Sequence, residues 1–125
     1  MKTTRLENRR TNPDFLNGVP ELVLLKLLDR RPMHGYELVR SIKRETGDAL
    51  AFGEGCVYPV LHKLESQGLL ESRATTVRGR ERYVYHVTPS GRTKLKRSAQ
   101  EWTEIARAIQ TLLQGGNDVT PVAST

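Results

Sequence analysis

Three histidines (His34, His62, His86), the single cysteine Cys56 and 14 Asp plus Glu residues form the inventory from which chemistry could be built. The histidines and Cys56 lack the paired spacing of a metal site, so neither a metal nor any other cofactor is expected. There is no Walker-type phosphate loop or dinucleotide fingerprint, and nothing pairs the carboxylates for acid–base work, which argues against an enzyme. What remains is a set of hydrogen-bond donors in periodic order. Projected at 100° per residue, Gly55, Pro59, His62 and Ser66 share one helical face, flanked by Tyr58 and Lys63. Val57, Val60, Leu61 and Leu64 share the opposite face. Further on, Arg80, Arg82, Val84 and His86 fall on one side of a strand, and Tyr83, Tyr85 and Val87 on the other. Such donors suit phosphate oxygens and base edges: Lys63 a phosphate, His62 either, and Tyr58 a phosphate through its hydroxyl or a sugar through its ring. The alternatives are plainer. Tyr58, His62 and Lys63 could form an ordinary solvated face and Arg80 a turn kept soluble by charge, while Arg82 could pair with Glu71 or Glu81.

Charge favours the first reading. Lys plus Arg number 20 in 125 residues, for a net charge of +6, which points to a phosphate partner, nucleic acid before anionic membrane. At 37% hydrophobic and 27% charged the composition is that of a soluble globular protein. One cysteine rules out an internal disulfide framework and suits a reducing cytoplasm. No apolar run is long enough for a membrane span, and no signal-peptide core follows Met1, so neither membrane insertion nor export is expected. A chain this short has room for one small domain with a long appendage, and such chains often pair with a copy of themselves.

The elements that must position these donors are legible in outline. Residues 1–17, with Lys2, Arg5, Arg9 and Arg10 against Glu7, read as a flexible basic arm that either tracks DNA or merely solubilises. A first helix runs from 18, with Pro20 at its first position, to about Arg30. Its leucines and valines cover nearly every face, which requires burial on most sides, in part against another element or a second subunit. A second helix spans Met33–Thr46; His34, Gly35 and Tyr36 open it where its amides favour phosphate, though Tyr36 suits half-buried packing equally well. The third helix is Gly55–Gln67, with Pro59 near its first turn. A hairpin follows, Leu70–Val77 and Arg82–Val87, joined through Arg78-Gly79-Arg80-Glu81. Its tyrosine face is expected to pack on the helices and its arginine face to meet solvent or a polyanion. Thr88 then caps a last helix with Pro89 at its first position. Along it Leu95, Ala99, Trp102, Ala106, Ile109 and Leu113 alternate at spacings of four and three, a heptad seam widened by Ile105 and Leu112. The fold class is mainly α with a small β-hairpin: a winged helix-turn-helix over 18–88, a dimerisation helix over 89–114 and a disordered tail over 115–125.

Met33-His34-Gly35-Tyr36-Glu37-Leu38, then Val57-Tyr58-Pro59-Val60-Leu61-His62-Lys63-Leu64-Glu65, then Gly68-Leu69-Leu70, resemble the PadR family of bacterial transcriptional regulators. The segments Gly79-Arg80-Glu81-Arg82-Tyr83-Val84-Tyr85 and Thr88-Pro89-Ser90-Gly91-Arg92 fit the same pattern, and the single C-terminal helix is similar to the short branch of that family. The resemblance implies a homodimer, joined through the last helix and the first, on a near-palindromic operator in double-stranded DNA. It further implies a repressor that a hydrophobic or aromatic small molecule releases in several members. In that context His34, Tyr36, Gly55, Cys56, Tyr58, Pro59, His62 and Lys63 are the expected helix contacts to DNA, with Arg80 and Arg82 on a wing that reaches the backbone or minor groove. Cys56 stands where the family commonly has Ser or Thr, and a thiol is the poorer donor. Its place at a helix start could lower its pKa toward redox sensing, although packing is the simpler role. Trp102 is either a core residue stapling two helices or an aromatic plate in a pocket between subunits. Two rival functions remain at this stage: a winged-helix module binding an acidic protein partner, and a ligand-independent silencer.

Overall fold

The computed structural model describes residues 13–115, their side chains from Gly18 on. The chain runs α1 (Pro13–Arg30), β1 (Met33–His34), α2 (Gly35–Glu45), α3 (Glu54–Ser66), β2 (Leu70–Val77), β3 (Arg80–Val87) and α4 (Pro89–Leu113). The strands make one antiparallel sheet in the order β1-β3-β2. This is the mainly helical winged-helix arrangement that the periodicities imply. On α3, Val57, Leu61 and Leu64 are fully buried, with Val60 at the edge of the core. They meet Leu24, Leu25, Leu27 and Leu28 of α1, Leu38 and Ile42 of α2, and Met33, Leu70, Tyr85 and Val87 of the sheet. The apolar girth of α1 is thus covered largely from within the chain, because α1 packs against α2, α3 and β3 at once.

Several boundaries differ from expectation for local reasons. The first helix begins at Pro13 rather than at Gly18, so 13–17 belong to it; residues 1–12 of the expected arm, and 116–125 of the expected tail, lie outside the described residues. Pro20 is consequently buried inside the helix, where the lost backbone bond costs about 3 kcal/mol. Burial of Leu24, Leu25, Leu27 and Leu28, each about 2 kcal/mol, outweighs it. Met33 and His34 do not open α2 but form a short strand, pairing Met33 with Tyr85 and His34 with Val84. Two residues are too few to leave a periodic signal. The hairpin turn is Arg78-Gly79 alone, with φ of 53° and 77° and Val77 paired to Arg80. Two positive φ values in a two-residue loop match the right-handed twist of the flanking strands. Arg80 and Glu81 are therefore strand residues. Tyr83, expected to pack on the helices with Tyr85 and Val87, is 55% exposed, whereas Tyr85 is buried in the core.

The junction into α4 is closely fitted. The Thr88 hydroxyl donates to the Gly68 carbonyl at 2.7 Å and accepts the Gly91 amide at 3.1 Å, while the Thr88 amide donates to the Leu69 carbonyl at 3.1 Å. Thr88 thus caps α4 as expected and ties it to the turn that follows α3. Gly91 is buried, and a Cβ there would overlap the Leu69 carbonyl oxygen. Leu95, expected to open the dimer seam, is instead 6% exposed in the core just described. The chain divides into two compact units between Leu95 and Lys96. In the second unit Ala99 and Ala106 are half-buried, and Trp102, Ile105, Ile109, Leu112 and Leu113 are exposed on one stripe of α4. No helix among the described residues is long and apolar enough to cross a membrane.

Candidate nucleic-acid interface

The outer face of α3 is built as its sequence dictates. Gly53 is the N-cap in extended backbone, and its carbonyl accepts the Cys56 and Val57 amides, both at 3.0 Å. With the apolar residues turned inward, Gly55, Pro59, His62 and Lys63 are exposed and Tyr58 is half-buried. Pro59 lies inside the helix rather than in its first turn, and without an amide hydrogen it cannot bond the carbonyl four residues back, at Gly55. Tyr58 and His62 stand one turn apart with ring centroids 6.5 Å from each other.

Tyr58 also reaches across to α2. A Cβ on Gly35 would fall within the Tyr58 ring, 2.7 Å from its hydroxyl oxygen. Gly35 therefore lets the recognition-type helix lie flat on the start of α2, and the pair sets how closely the two helices approach. Gly35→Ala is expected to cost about 2 kcal/mol through forced displacement of the ring. Adding Tyr58→Ala to that variant should cost less than the sum of the two single losses. Urea melts of the four proteins in the cycle measure this, and strict additivity would refute the contact.

His34 has a structural task beyond the one expected of it. Its Nδ1 accepts the Glu37 amide at 3.2 Å as the N-cap of α2, which leaves the ring proton on Nε2. Nε2 stands 3.8 Å from Glu37, whose carboxylate also pairs with Arg31 at 2.8 Å. Tyr36 is 46% exposed with the Arg40 guanidinium over its ring at 5.7 Å, so this tyrosine faces outward under a cation rather than packing inside. Lys63 bonds Glu21 of α1 at 2.8 Å, so any phosphate it meets competes with a carboxylate.

On the hairpin, Arg80 is exposed beside the turn. Glu71 pairs with Arg73 at 2.6 Å, and neither Glu71 nor Glu81 pairs with Arg82. Arg82 instead joins His34, Tyr58 and His62 around a cleft of about 290 Å³ that Gly35, Glu81, Tyr83 and Tyr85 complete. Four of the expected DNA contacts are brought together there, whereas Tyr36, Gly55, Cys56, Pro59, Lys63 and Arg80 do not line it. Burial, with Glu65 and then Tyr58 nearby, pushes the Tyr85 phenol up, so Tyr85 remains a neutral donor in the floor of the cleft. Burial also pushes the Cys56 thiol up, the reverse of what a redox-poised thiolate requires. No group of three or more His, Cys, Asp or Glu residues among those described could hold a metal ion. Sequence reasoning missed Tyr83, Glu81 and Arg40. The period-two pattern puts Tyr83 on the Tyr85 face, but it does not show where along that face burial ends.

Known proteins match this architecture in sequence and in shape. The model of the Transcriptional regulator PadR-like family matches residues 24–97, from α1 into α4. The transcriptional regulator Rv3488 of Mycobacterium tuberculosis is 33% identical over 96 residues, which cover 77% of this chain and 87% of that protein. Among solved structures, a transcriptional regulator from Clostridium thermocellum superposes with a TM-score of 0.72 at 26% identity, covering 78% of this chain and 96% of the other. A PadR-like transcriptional regulator from Bacillus cereus does so with a TM-score of 0.70 at 28% identity, covering 82% and 98%. With the family model spanning more than half of its length, the chain belongs to the PadR-like family of DNA-binding transcriptional regulators.

Proposed function

We propose that the chain is a homodimeric repressor that reads a near-palindromic operator. The observation that carries this reading is the stripe on α4, where Ile105 and Ile109 are each 45% exposed and Leu112 and Leu113 each 76%. An apolar stripe with heptad spacing is covered most simply by the same stripe of a second copy. The first helix contributes secondarily, through its half-buried Val19, Leu22 and Val23. Two copies of α3 then enter successive major grooves at a centre-to-centre spacing of roughly 34 Å, with Arg80 and Arg82 on the flanking backbone or minor groove. His34, Tyr36, Gly55, Cys56, Tyr58, Pro59 and Lys63 border that contact, and His62 reads a base edge or a phosphate. A hydrophobic or aromatic effector acts where Trp102 faces the partner, by favouring a spacing that does not fit DNA. The protein works in the cytoplasm, where its operator lies.

Selection from a randomised duplex library, followed by the mass of the complex on the enriched site, tests the reading. An inverted repeat bound by two chains supports it; binding without enrichment would refute it. Lys63→Ala is expected to weaken binding on all sequences and to lower the slope of log affinity against log salt by about one. An unchanged slope in a salt titration would remove Lys63 from the phosphate contacts and leave it as the partner of Glu21.

A further inference from the structure

The cleft between the start of α2, α3 and β3 stands out from the rest of the DNA-facing surface. Its donors come from three separate elements: His34 from β1, His62 from α3 and Arg82 from β3. Because His34 Nδ1 is engaged by the Glu37 amide, its ring donor toward a ligand is Nε2–H, for which an anion competes with the Glu37 carboxylate 3.8 Å away. Arg82 lines the cleft and is paired with neither Glu71 nor Glu81, and Tyr58 and Tyr83 are among the other lining residues. The cleft is partly open to solvent. A small-molecule site would enclose most of its ligand, whereas a polymer backbone can fill an open cleft from outside.

We propose that this cleft seats one backbone phosphodiester of each DNA half-site, with Arg82, His62 and the His34 Nε2–H on its oxygens and the Tyr83 ring against the adjoining sugar. The inference rests on the reading that α3 enters the major groove. With α3 in the major groove and the hairpin tip at the neighbouring minor groove, the strand dividing the two grooves must cross between α3 and β3, where the cleft lies. Charge-assisted hydrogen bonds from an arginine and two imidazoles suit an anion held at that crossing. Glu81, exposed at the rim, opposes it. The seat thus joins helix and wing on a single phosphate and sets the register of the protein along the duplex.

The test uses the full chain and its selected operator, with phosphates replaced one at a time by neutral methylphosphonates. At one position per half-site the replacement is expected to weaken wild-type binding about tenfold, yet to weaken Arg82→Gln and His62→Gln only about twofold. Lys26→Gln carries the same charge change on an exposed α1 residue outside the cleft and should keep the tenfold loss. Glu81→Gln should bind about twofold more tightly to the unmodified duplex. Equal losses for wild type, Arg82→Gln and His62→Gln at every position would overturn the seat while leaving operator recognition intact. Absence of sequence-specific binding by the wild type would overturn the underlying reading as well. Thermal melts of the variants establish that each is folded.

Discussion

Gly91→Ala is expected to destabilise the protein by about 3 kcal/mol. For a domain of this size that is a fall of roughly 12 °C or more in Tm. The reason is geometric. The added methyl would overlap the Leu69 carbonyl, which is backbone and cannot rotate away, and would touch the Val87 side chain at 3.0 Å. Nor can α4 retreat. Its first turn is tied to Gly68 and Leu69 through Thr88, and its next turn is anchored by Leu95 in the core. Gly55→Ala is the matching control, since nothing lies within 4 Å of a Cβ there. Within a helix that substitution should be neutral or stabilising by about 0.5–1 kcal/mol. Calorimetric melts of both variants decide the matter, and a Gly91→Ala midpoint within 3 °C of wild type, on the same per-kcal scale, would show that the junction yields.

The second large effect concerns α4. Replacing Ile109 and Leu112 together by Glu should convert two-chain particles to single chains and reduce operator affinity at least a hundredfold. Carboxylates desolvated between apolar faces are costly. A dimer also gains from an effective concentration of the second half-site that a monomer lacks. Sedimentation velocity gives the mass and a fluorescence-anisotropy titration gives the affinity. A double variant that still sediments as a dimer would place the interface elsewhere. One that dissociates yet binds the operator undiminished would separate dimerisation from recognition.

The periodic parts of this molecule were legible before any coordinates. Val57, Leu61 and Leu64 at helical spacing mark the buried side of α3, and with it the side left exposed. Thr88 and Pro89 mark the start of α4 through capping chemistry that is purely local. What stayed hidden depends on which surfaces meet in space. Leu95 lies in register with the α4 seam, yet it is taken up by the core because the helix starts against the sheet. Met33 and His34 pair with β3 through backbone hydrogen bonds, which carry no side-chain pattern. Lys63 looks like a phosphate ligand on a helical wheel, and only the approach of α1 reveals its bond to Glu21. The cleft was half visible: His34, Tyr58, His62 and Arg82 were singled out individually, but nothing in one dimension brings them to the same place.

The bonds that Thr88 makes bear on how such a regulator would be switched. Its hydroxyl and amide together hold Gly68 and Leu69, directly after α3, and Gly91, in the first turn of α4. The root of α4 and the tail of α3 are thus tied by two hydrogen bonds, from the Thr88 hydroxyl and the Thr88 amide. A twist imposed on the root of α4 would therefore bear directly on the tail of α3. Amide hydrogens across the joint should accordingly exchange with solvent at one common rate, set by the opening of the whole joint rather than by fraying of either helix.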